Sequence, residues 1–126
     1  MENTKSTFED LDIWQFSRDF RKEISSLIRT FPSEEKYRLN DQLIRASRSV
    51  TANIAEGYGR YHYQENIQFC RQSRGSLYEI IDHLTVALDE GYISADQLEE
   101  LKKKSFVIIR KLNAYIHYLE KRKTVK

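Results

Sequence analysis

The stretch QLIRASRSVTANIAEGYGR, residues 42–60, combines two patterns at the helical repeat of about 100° per residue. An apolar stripe lies beside a ladder of polar residues. The stripe consists of Leu39, Leu43, Ala46, Val50 and Ile54, and the ladder consists of Gln42, Arg45, Ser49, Asn53 and Glu56. The small residues around both would let another backbone approach closely. The stretch therefore predicts a helix that packs tightly against other parts of the protein.

The boundaries of this helix are predicted from its flanking residues. Gly57 or Gly59 is expected to end it, because glycine readily takes the left-handed conformation of a helix C-cap. Asn40 and Asp41 are predicted as its N-cap. A carboxylate at a helix C-terminus opposes the helix dipole, so Glu56 is expected to have a cationic partner. The candidates for that partner are Arg45, Arg60 and Arg74.

Three further amphipathic helices are predicted from apolar residues that recur at steps of three and four. Pro32 is expected to end the first helix and Gly91 the third. Ser94 and Gln97 form the capping box of the fourth. The four predicted helices cover residues 8–31, 40–58, 63–90 and 95–122.

The fourth helix has apolar residues at the spacing of a heptad seam. Four helices of similar length with short connections predict an all-α fold, an antiparallel up-down-up-down four-helix bundle over residues 8–122. Residues 1–7 are predicted to be a disordered tail, and residues 123–126 a basic tail. The seam residues are Leu98, Leu101, Ser105, Ile108, Leu112, Tyr115 and Leu119.

The third helix carries an arginine and a glycine at its apolar stripe. Arg74 occupies a seam position, where a buried charge needs an opposite charge, so we expect it to have a carboxylate partner. Gly75 predicts a close helix crossing at the same level. The polar face of the second helix is then available either to a neighbouring subunit or to the third helix at Gly75.

The composition is that of a single globular domain of 126 residues, with 40% hydrophobic and 32% charged residues. One proline and four glycines favour a few long helices over many short strands. The sequence contains no run of apolar residues long enough for a membrane span and no signal-peptide pattern, so we expect a cytoplasmic protein. The single Cys70 is expected to be a buried small hydrophobe rather than a reactive thiol.

The net charge of +2 is unevenly distributed, since residues 92–126 hold nine basic and four acidic side chains. Lys and Arg neutralise phosphates and release counterions, so this segment could bind nucleic acid. Cations in the last turn also complement the helix dipole, which is an equally good explanation. The candidate nucleic-acid-binding residues are Arg45, Arg48, Arg60, Lys121, Arg122 and Lys123.

An aromatic and basic cluster follows the second helix: Tyr58, Arg60, Tyr61, His62 and Tyr63. Aromatic rings and guanidinium planes stack on unpaired bases, while arginine also engages phosphate. The alternative is that the tyrosines simply cover the end of the bundle. The cluster therefore leaves nucleic-acid contact open as one of two interpretations.

The patterns of metal, nucleotide and hydrolase sites are missing from the sequence. No histidine follows a glutamate by three residues, which excludes the di-iron bundle motif. Glu79 and His83, four residues apart, are predicted to form a solvated pair. Glu56 is expected to belong to a structural polar network rather than to act as a general base. We therefore predict no enzyme activity, no cofactor and no metal.

Two motifs carry a resemblance to a known family. They are Gln42, Arg45-Ala46, Ser49, Asn53-Ile54-Ala55-Glu56-Gly57 and Arg60, followed by Arg74-Gly75-Ser76-Leu77 and Glu79. The pattern closely resembles the bacterial four-helix proteins encoded in intervening sequences of 23S rRNA genes. It is similar, more distantly, to the accessory variability protein of diversity-generating retroelements.

The resemblance implies a four-helix protomer in a ring-shaped homo-pentamer. The retroelement relatives have a basic surface that binds nucleic acid and a reverse transcriptase. We therefore expect a non-enzymatic accessory or scaffold protein that binds RNA or DNA, with avidity in the oligomer compensating for the low net charge. The alternative is an assembly scaffold for proteins that binds no nucleic acid.

Overall fold

The computed structural model of the protein describes residues 6–124, which form an all-α bundle of four helices without a strand in that range. Single turns of 3-10 helix, at Phe8–Asp10 and Ser33–Glu35, precede the first and second helices. The helices are α1 (Asp12–Ile28), α2 (Leu39–Tyr58), α3 (Tyr63–Asp89) and α4 (Ala95–Thr124). All four predicted helices are therefore present. Lys123 is helical and not part of a separate tail, because α4 continues through it. The rest of the two predicted tails, residues 1–5 and 125–126, lies outside the described residues.

The first helix is shorter than the predicted range 8–31. Extended backbone at Leu11 (φ −75°, ψ 131°) separates the opening 3-10 turn from α1. Thr7 and Asp10 form a capping box on that turn, so Thr7 is an ordered cap rather than part of a tail. At the other end, the backbone hydrogen bonds of Arg29, Thr30 and Phe31 span three residues instead of the four of an α-helix. Both ends of the apolar pattern are therefore turns rather than α-helix.

Side-chain bonds between neighbouring helices show how the bundle is arranged. In each pair, residue numbers rise along one helix as they fall along the other. The bonds are Arg21–Thr51 and Ile28–Asn40, Val50–Ser73 and Ser49–Ser76, Tyr63–Arg122 and Arg74–Asn113, and Asp12–Lys111 and Glu23–Lys104. The end of α2, the start of α3 and the end of α4 consequently meet at one end of the bundle.

The core is formed by one apolar face from each helix. The predicted stripe of α2 is buried along its whole length, from Leu39 to Ile54. The heptad seam of α4 is buried as well, with Tyr115 half-buried. The small Ser105 lies within this seam, fully buried, and satisfies its hydroxyl by donating to the carbonyl of Leu101 at 3.0 Å. The periodicity of both helices is thus confirmed.

The predicted seam position of Arg74 is wrong, because the buried residue at this level of α3 is its neighbour Ser73. Ser73 is the fully buried residue, and its Oγ donates to the carbonyl of Val50 at 2.7 Å. Arg74 turns towards α4 and donates to Asn113 Oδ1 at 2.6 Å. A neutral amide oxygen therefore takes the place of the expected carboxylate.

The predicted capping role of Gly57 is also wrong. Gly57 is buried inside α2, where an added Cβ would lie 2.7 Å from Asn66 Oδ1 and 2.9 Å from Phe69 Cβ. The helix ends after Tyr58 without a left-handed residue, since Gly59 has φ −78°. Gly57 is needed for the close approach of α3, and its substitution would push the two helices apart.

The predicted close helix crossing at Gly75 is not found within the protomer. Gly75 is exposed on α3, and an added Cβ would have no atom within 4 Å, so no helix crosses there within the protomer. Gly91 does adopt the left-handed conformation (φ 80°) and ends α3 as predicted. The tight glycine contact between α2 and α3 is therefore made from α2, at Gly57.

The start of α2 differs from the prediction as well. Arg38 precedes the helix, so Asn40 and Asp41 lie in its first turn and cap nothing. Glu35 Oε1 instead accepts from the backbone N–H of Leu39 at 3.3 Å. Asn40 Nδ2 donates back to the carbonyl of Ile28 at 3.3 Å. The preceding 3-10 turn thus supplies the cap that the helix itself was expected to carry.

Candidate functional site

The end of the bundle where α2 ends, α3 begins and α4 ends gathers cationic and aromatic side chains. We call this surface the basic end. It consists of Arg60, Tyr61, His62, Tyr63, Gln64, Tyr118, Lys121, Arg122 and Lys123. Most of these side chains are exposed, and their contacts join the first turn of α3 to the last turns of α4.

The α2–α3 connection presents aromatic rings to solvent. The side chain of Tyr61 is 90% exposed, and its ring lies edge to face against His62 with centroids 4.8 Å apart. His62 has extended backbone (φ −97°, ψ 138°) and precedes α3 without a side-chain hydrogen bond to the first turn. The connection therefore projects Tyr61 outward instead of folding it over the bundle end.

Arg122 is held at the basic end by two tyrosine rings. Its guanidinium carbon lies 5.8 Å from the ring centroid of Tyr63 and 5.6 Å from that of Tyr118. Its Nε and Nη2 each donate to the Tyr63 hydroxyl at 3.4 Å, and this hydrogen bond raises the pKa of Arg122. Between residues 6 and 124 no carboxylate pairs with it. The guanidinium is thus positioned by rings and keeps its full charge.

Lys123 lies beside Arg122 but is partly neutralised. Its Nζ donates to Gln64 Oε1 at 2.6 Å and forms an ion pair with Glu120 at 3.2 Å. Glu120 also accepts from Arg71 of α3 at 3.3 Å. Lys123 helps to enclose a cavity of about 440 Å³, which is lined by Tyr61, His62, Tyr63, Gln64 and Lys123.

Arg60 is the cationic partner of Glu56. Arg60 Nη2 lies 2.9 Å from Glu56 Oε2, and its guanidinium carbon lies 4.9 Å from the ring centroid of Phe69. Of the three candidate partners of Glu56, Arg60 is therefore the one that pairs with it, four residues further along the chain. Because a carboxylate offsets its charge, Arg60 attracts phosphate less strongly than Arg122.

The six predicted nucleic-acid-binding residues fall into two groups. Arg60, Lys121, Arg122 and Lys123 lie at the basic end. Arg45 and Arg48 are exposed near the middle of α2, where Arg45 forms an ion pair with Asp41 at 3.0 Å. Ten residues of helix separate Arg48 from the end of α2 at Tyr58, a rise of about 15 Å, and Arg60 follows that end. The structure thus does not bring all six together.

The polar ladder of α2 serves partly as a contact with α3. Ser76 Oγ donates to Ser49 Oγ at 2.9 Å, and Asn53 Nδ2 donates to the same hydroxyl at 2.9 Å. Gln42 and Glu56, at the two ends of the ladder, are exposed. Only the centre of the ladder is therefore an internal seam.

The predicted pair on α3 is formed, with Glu79 Oε2 3.2 Å from His83 Nε2. Within residues 6–124, no group of three or more His, Cys, Asp or Glu side chains could hold a metal ion. Cys70 is fully buried as predicted, and burial raises its pKa to about 12. Its thiol is therefore protonated and inaccessible at neutral pH. No helix in the described part of the chain is both long and apolar enough to cross a membrane.

Sequence reasoning missed three contributors to the basic end: Gln64, Tyr118 and the pairing of Tyr63 with Arg122. The pairing joins residues 59 positions apart, and no local pattern predicts such a contact. The spacing of Tyr118 and Arg122 does provide a signal, because residues four apart lie on one face of a helix. A search for an aromatic residue and an arginine at that spacing would have found the contact of Tyr118 with Arg122 but not that of Tyr63 with Arg122.

Comparisons with known proteins support the fold and the resemblance drawn from the sequence. No curated protein matches the chain. The chain is similar to the crystal structure of a protein of unknown function from the S23 ribosomal protein family of Bacteroides thetaiotaomicron VPI-5482, with a TM-score of 0.77, 23% identity, and coverage of 83% of this chain and 95% of that one. At this identity the likeness shows the fold alone.

The family model described as 23S rRNA-intervening sequence protein matches residues 9–114. The matched range includes α1, α2 and α3 but ends before Tyr118, Arg122 and Lys123. It nevertheless spans most of the sequence and contains both motifs on which the resemblance was based. The chain therefore belongs to the 23S rRNA-intervening sequence protein family.

Proposed function

We propose that the protein is a non-enzymatic, oligomeric four-helix bundle that binds RNA or DNA through the basic end. The observation that supports this most strongly is Arg122, whose charge is fixed between two tyrosine rings and is not offset by a described carboxylate. Lys123 and the exposed Tyr61 lie around the same cavity. Such a combination of cationic and aromatic groups suits phosphate and base contacts.

Assembly would compensate for the weakness of one patch. A protomer with a net charge of +2 has only a small basic surface, but several copies acting together raise the overall affinity. The helix pairings support an antiparallel up-down-up-down protomer, and the family resemblance suggests a homo-pentameric ring. We also propose a cytoplasmic location and, by the same analogy, a nucleic-acid enzyme such as a reverse transcriptase as a partner.

Oligomeric state tests the assembly directly. The protomer has a mass of 15.0 kDa, so light scattering of a ring of five should give about 75 kDa. A monodisperse species at the mass of one protomer would contradict the ring.

Nucleic-acid binding is tested by a salt titration with fluorescein-labelled RNA and DNA, followed by anisotropy. The logarithm of the binding constant should fall linearly with the logarithm of the salt concentration, by about 0.7–0.9 per phosphate neutralised. The double substitution Arg122→Gln, Lys123→Gln should make that slope shallower by roughly 1–2. The matched control is Lys36→Gln, Arg38→Gln, which removes two exposed cations near the start of α2. A flat salt dependence, or no binding at low salt, would contradict the proposal.

The groove between α1 and α4 favours a second candidate function, an assembly scaffold for proteins. Two cavities of about 300 and 290 Å³ lie along this seam. The second is lined mainly by apolar side chains such as Phe20 and Val107, and the first by polar side chains together with Leu27 and Leu101. Phe16 at one of them is 45% exposed. A scaffold that recruits proteins directly should retain its partners in pull-downs after nuclease treatment. Loss of every partner after nuclease would count against it.

A further inference from the structure

We propose that the basic end binds a single unpaired nucleotide, with its base stacked on Tyr61 and a flanking phosphate on Arg122. This inference rests on the proposed nucleic-acid binding and narrows the ligand from any RNA or DNA to a single-stranded segment. It assigns separate tasks to the two residues. Tyr61 would distinguish single strands from duplexes, and Arg122 would supply affinity for the backbone.

Tyr61 has the properties of a stacking platform. With 90% of its side chain exposed, it is the most exposed of the large hydrophobic residues in the described part of the chain. Its ring is nearly perpendicular to the His62 ring, with centroids 4.8 Å apart, an arrangement that covers at most one face of the Tyr61 ring. An unpaired base has a free face that can cover this ring, whereas a base inside a duplex already stacks on its neighbours.

Arg122 has the properties of a phosphate anchor. Tyr63 and Tyr118 hold its guanidinium plane, and Nε and Nη2 both point to the Tyr63 hydroxyl. Nη1 makes none of the side-chain bonds found between residues 6 and 124. A guanidinium with an unused donor can form a charge-assisted hydrogen bond to a phosphate oxygen. Because its position is already fixed, little further ordering is needed on binding.

The cavity beside Tyr61 limits the size of the ligand, and it is also lined by Tyr63, the residue that holds Arg122. Its volume of about 440 Å³ falls in the lower part of the range for small-molecule sites. It therefore suits one nucleotide but not the width of a double helix. A paired base would first have to leave its stack to enter, at the cost of unpairing, so an already unpaired base is favoured.

Residues from two separate parts of the chain form the site. Tyr61 and Tyr63 lie within the residues that the family model matches, but Tyr118 and Arg122 lie beyond them. The family match alone consequently does not account for the arrangement. It depends on the last turns of α4 reaching the start of α3.

The experiment compares three fluorescein-labelled ligands of about 12 nucleotides, within the range of single-strand sites. They are an unstructured single strand, the same strand with abasic sites, and a blunt duplex, each made as RNA and as DNA. The single strand should bind more tightly than the other two at equal salt. A preference shown by either the RNA or the DNA series supports the inference and identifies the sugar that the site accepts.

Two substitutions of Tyr61 test the stacking. Tyr61→Ala should weaken single-strand binding by about 5- to 150-fold and leave binding of the abasic strand unchanged, whereas Tyr61→Phe should retain affinity. The matched control is Tyr37→Ala, since that side chain is 82% exposed and has Lys36 Nζ at 5.3 Å from its ring centroid. It should leave binding unchanged.

Arg122→Gln tests the phosphate contact separately. It should weaken all three ligands similarly and make the salt slope shallower by about 1. Equal affinity for the three ligands, with no effect of Tyr61→Ala, would overturn this inference while leaving the proposed nucleic-acid binding intact. Failure to bind any of them at low salt would refute both. Thermal unfolding of each variant, followed by circular dichroism, shows that a loss of binding is not a loss of fold.

Discussion

The two ends of the bundle use similar side chains in opposite ways. The far end consists of the α1–α2 connection (residues 29–38) and the α3–α4 turn (residues 90–94). There, the Tyr92 hydroxyl donates to Glu35 at 2.7 Å, and the rings of Tyr92 and Phe31 lie 5.2 Å apart. At the basic end, the ring of Tyr61 is almost wholly exposed.

Helix capping shows the same contrast. At the far end, α4 begins with the predicted capping box, in which Ser94 Oγ accepts from the N–H of Gln97 and Gln97 Oε1 accepts from the N–H of Ser94. At the basic end, α3 begins after His62, which caps nothing. The start of α4 at the far end is therefore closed by internal hydrogen bonds, whereas the start of α3 at the basic end is not.

The largest change in stability is expected at high pH, because each end of the bundle has a group whose pKa is raised in the folded protein. Burial raises the pKa of Cys70, beneath the basic end, from 9.0 to about 12, and the hydrogen bond to Glu35 raises that of Tyr92 at the far end from 10.0 to about 12. Both groups lose their protons more readily in the unfolded chain. The contribution of these two groups to stability should therefore be unchanged below pH 9 and decrease as the pH rises from 9 towards 12.

Urea unfolding at a series of pH values measures this loss, which for Cys70 is on the order of 4 kcal/mol by pH 12. Cys70→Ala should start from a lower stability but decline less above pH 9. Tyr92→Phe should remove only the part of the decline that begins above pH 10. An identical decline in the wild type and both variants would show that neither group is responsible.

The second-largest effect is a difference in stability between substitutions at two glycines that the sequence pattern does not distinguish. Gly57→Ala should destabilise the protein by about 1–3 kcal/mol, because the new Cβ would overlap Asn66 and Phe69 beneath the basic end. Gly75→Ala is the matched control, since its Cβ would meet no atom of the protomer. It should be neutral or stabilise by up to about 1 kcal/mol, as alanine favours the helix. Thermal unfolding measures both, and equal destabilisation would mean that Gly75 packs against another subunit.

Smaller changes in stability are expected from substitutions at the starts of α4 and α3, and the two changes should have opposite signs. Ser94→Ala should cost about 1 kcal/mol by removing the cap of α4. His62→Ser should gain about 0.5–1 kcal/mol by supplying a cap that α3 lacks. Chemical denaturation measures both changes. A loss of stability in His62→Ser would show that the ring of His62 contributes more to the fold than a cap would.

The smallest effect concerns the charge of the basic end. Glu56→Gln releases Arg60 from its ion pair, which is exposed and worth only about 0.5 kcal/mol in stability. Nucleic-acid binding at low salt should become tighter by a factor of about two to five, since one negative charge is removed. Asp41→Gln, which releases Arg45 in the middle of α2, is the matched control. Equal tightening by both variants would argue against a localised site.

The sequence predicted the helices well because their apolar residues repeat regularly. The stripe of α2 and the seam of α4 are buried, and Gly91 and Ser94 mark the α3–α4 turn as expected. Local signals were sufficient there, because both the apolar period and the capping chemistry lie within a few residues. The motifs likewise identified the family.

The details that depend on packing could not be predicted. Gly57 and Gly75 are both glycines inside helical patterns, and only the position of α3 decides which is a contact and which is exposed. The displacement of Arg74 from the seam has the same origin, because Ser73 and Arg74, three and four residues after Cys70, both fit the helical period. The contact of Tyr63 with Arg122 requires the full length of two helices to be known.

The length of α4 has a consequence for how the basic end responds to a ligand. The helix continues for thirteen residues beyond Lys111, which pairs with the first residue of α1, and the cross-helix bonds of Glu120, Arg122 and Lys123 all lead to α3. With one neighbour instead of two, these last turns should open locally more often than the rest of the bundle. Amide hydrogen exchange should therefore be faster there than in the rest of the four helices, and a ligand that bridges α3 and α4 should slow it. Occupancy could then be followed through backbone protection, without a label on the ligand.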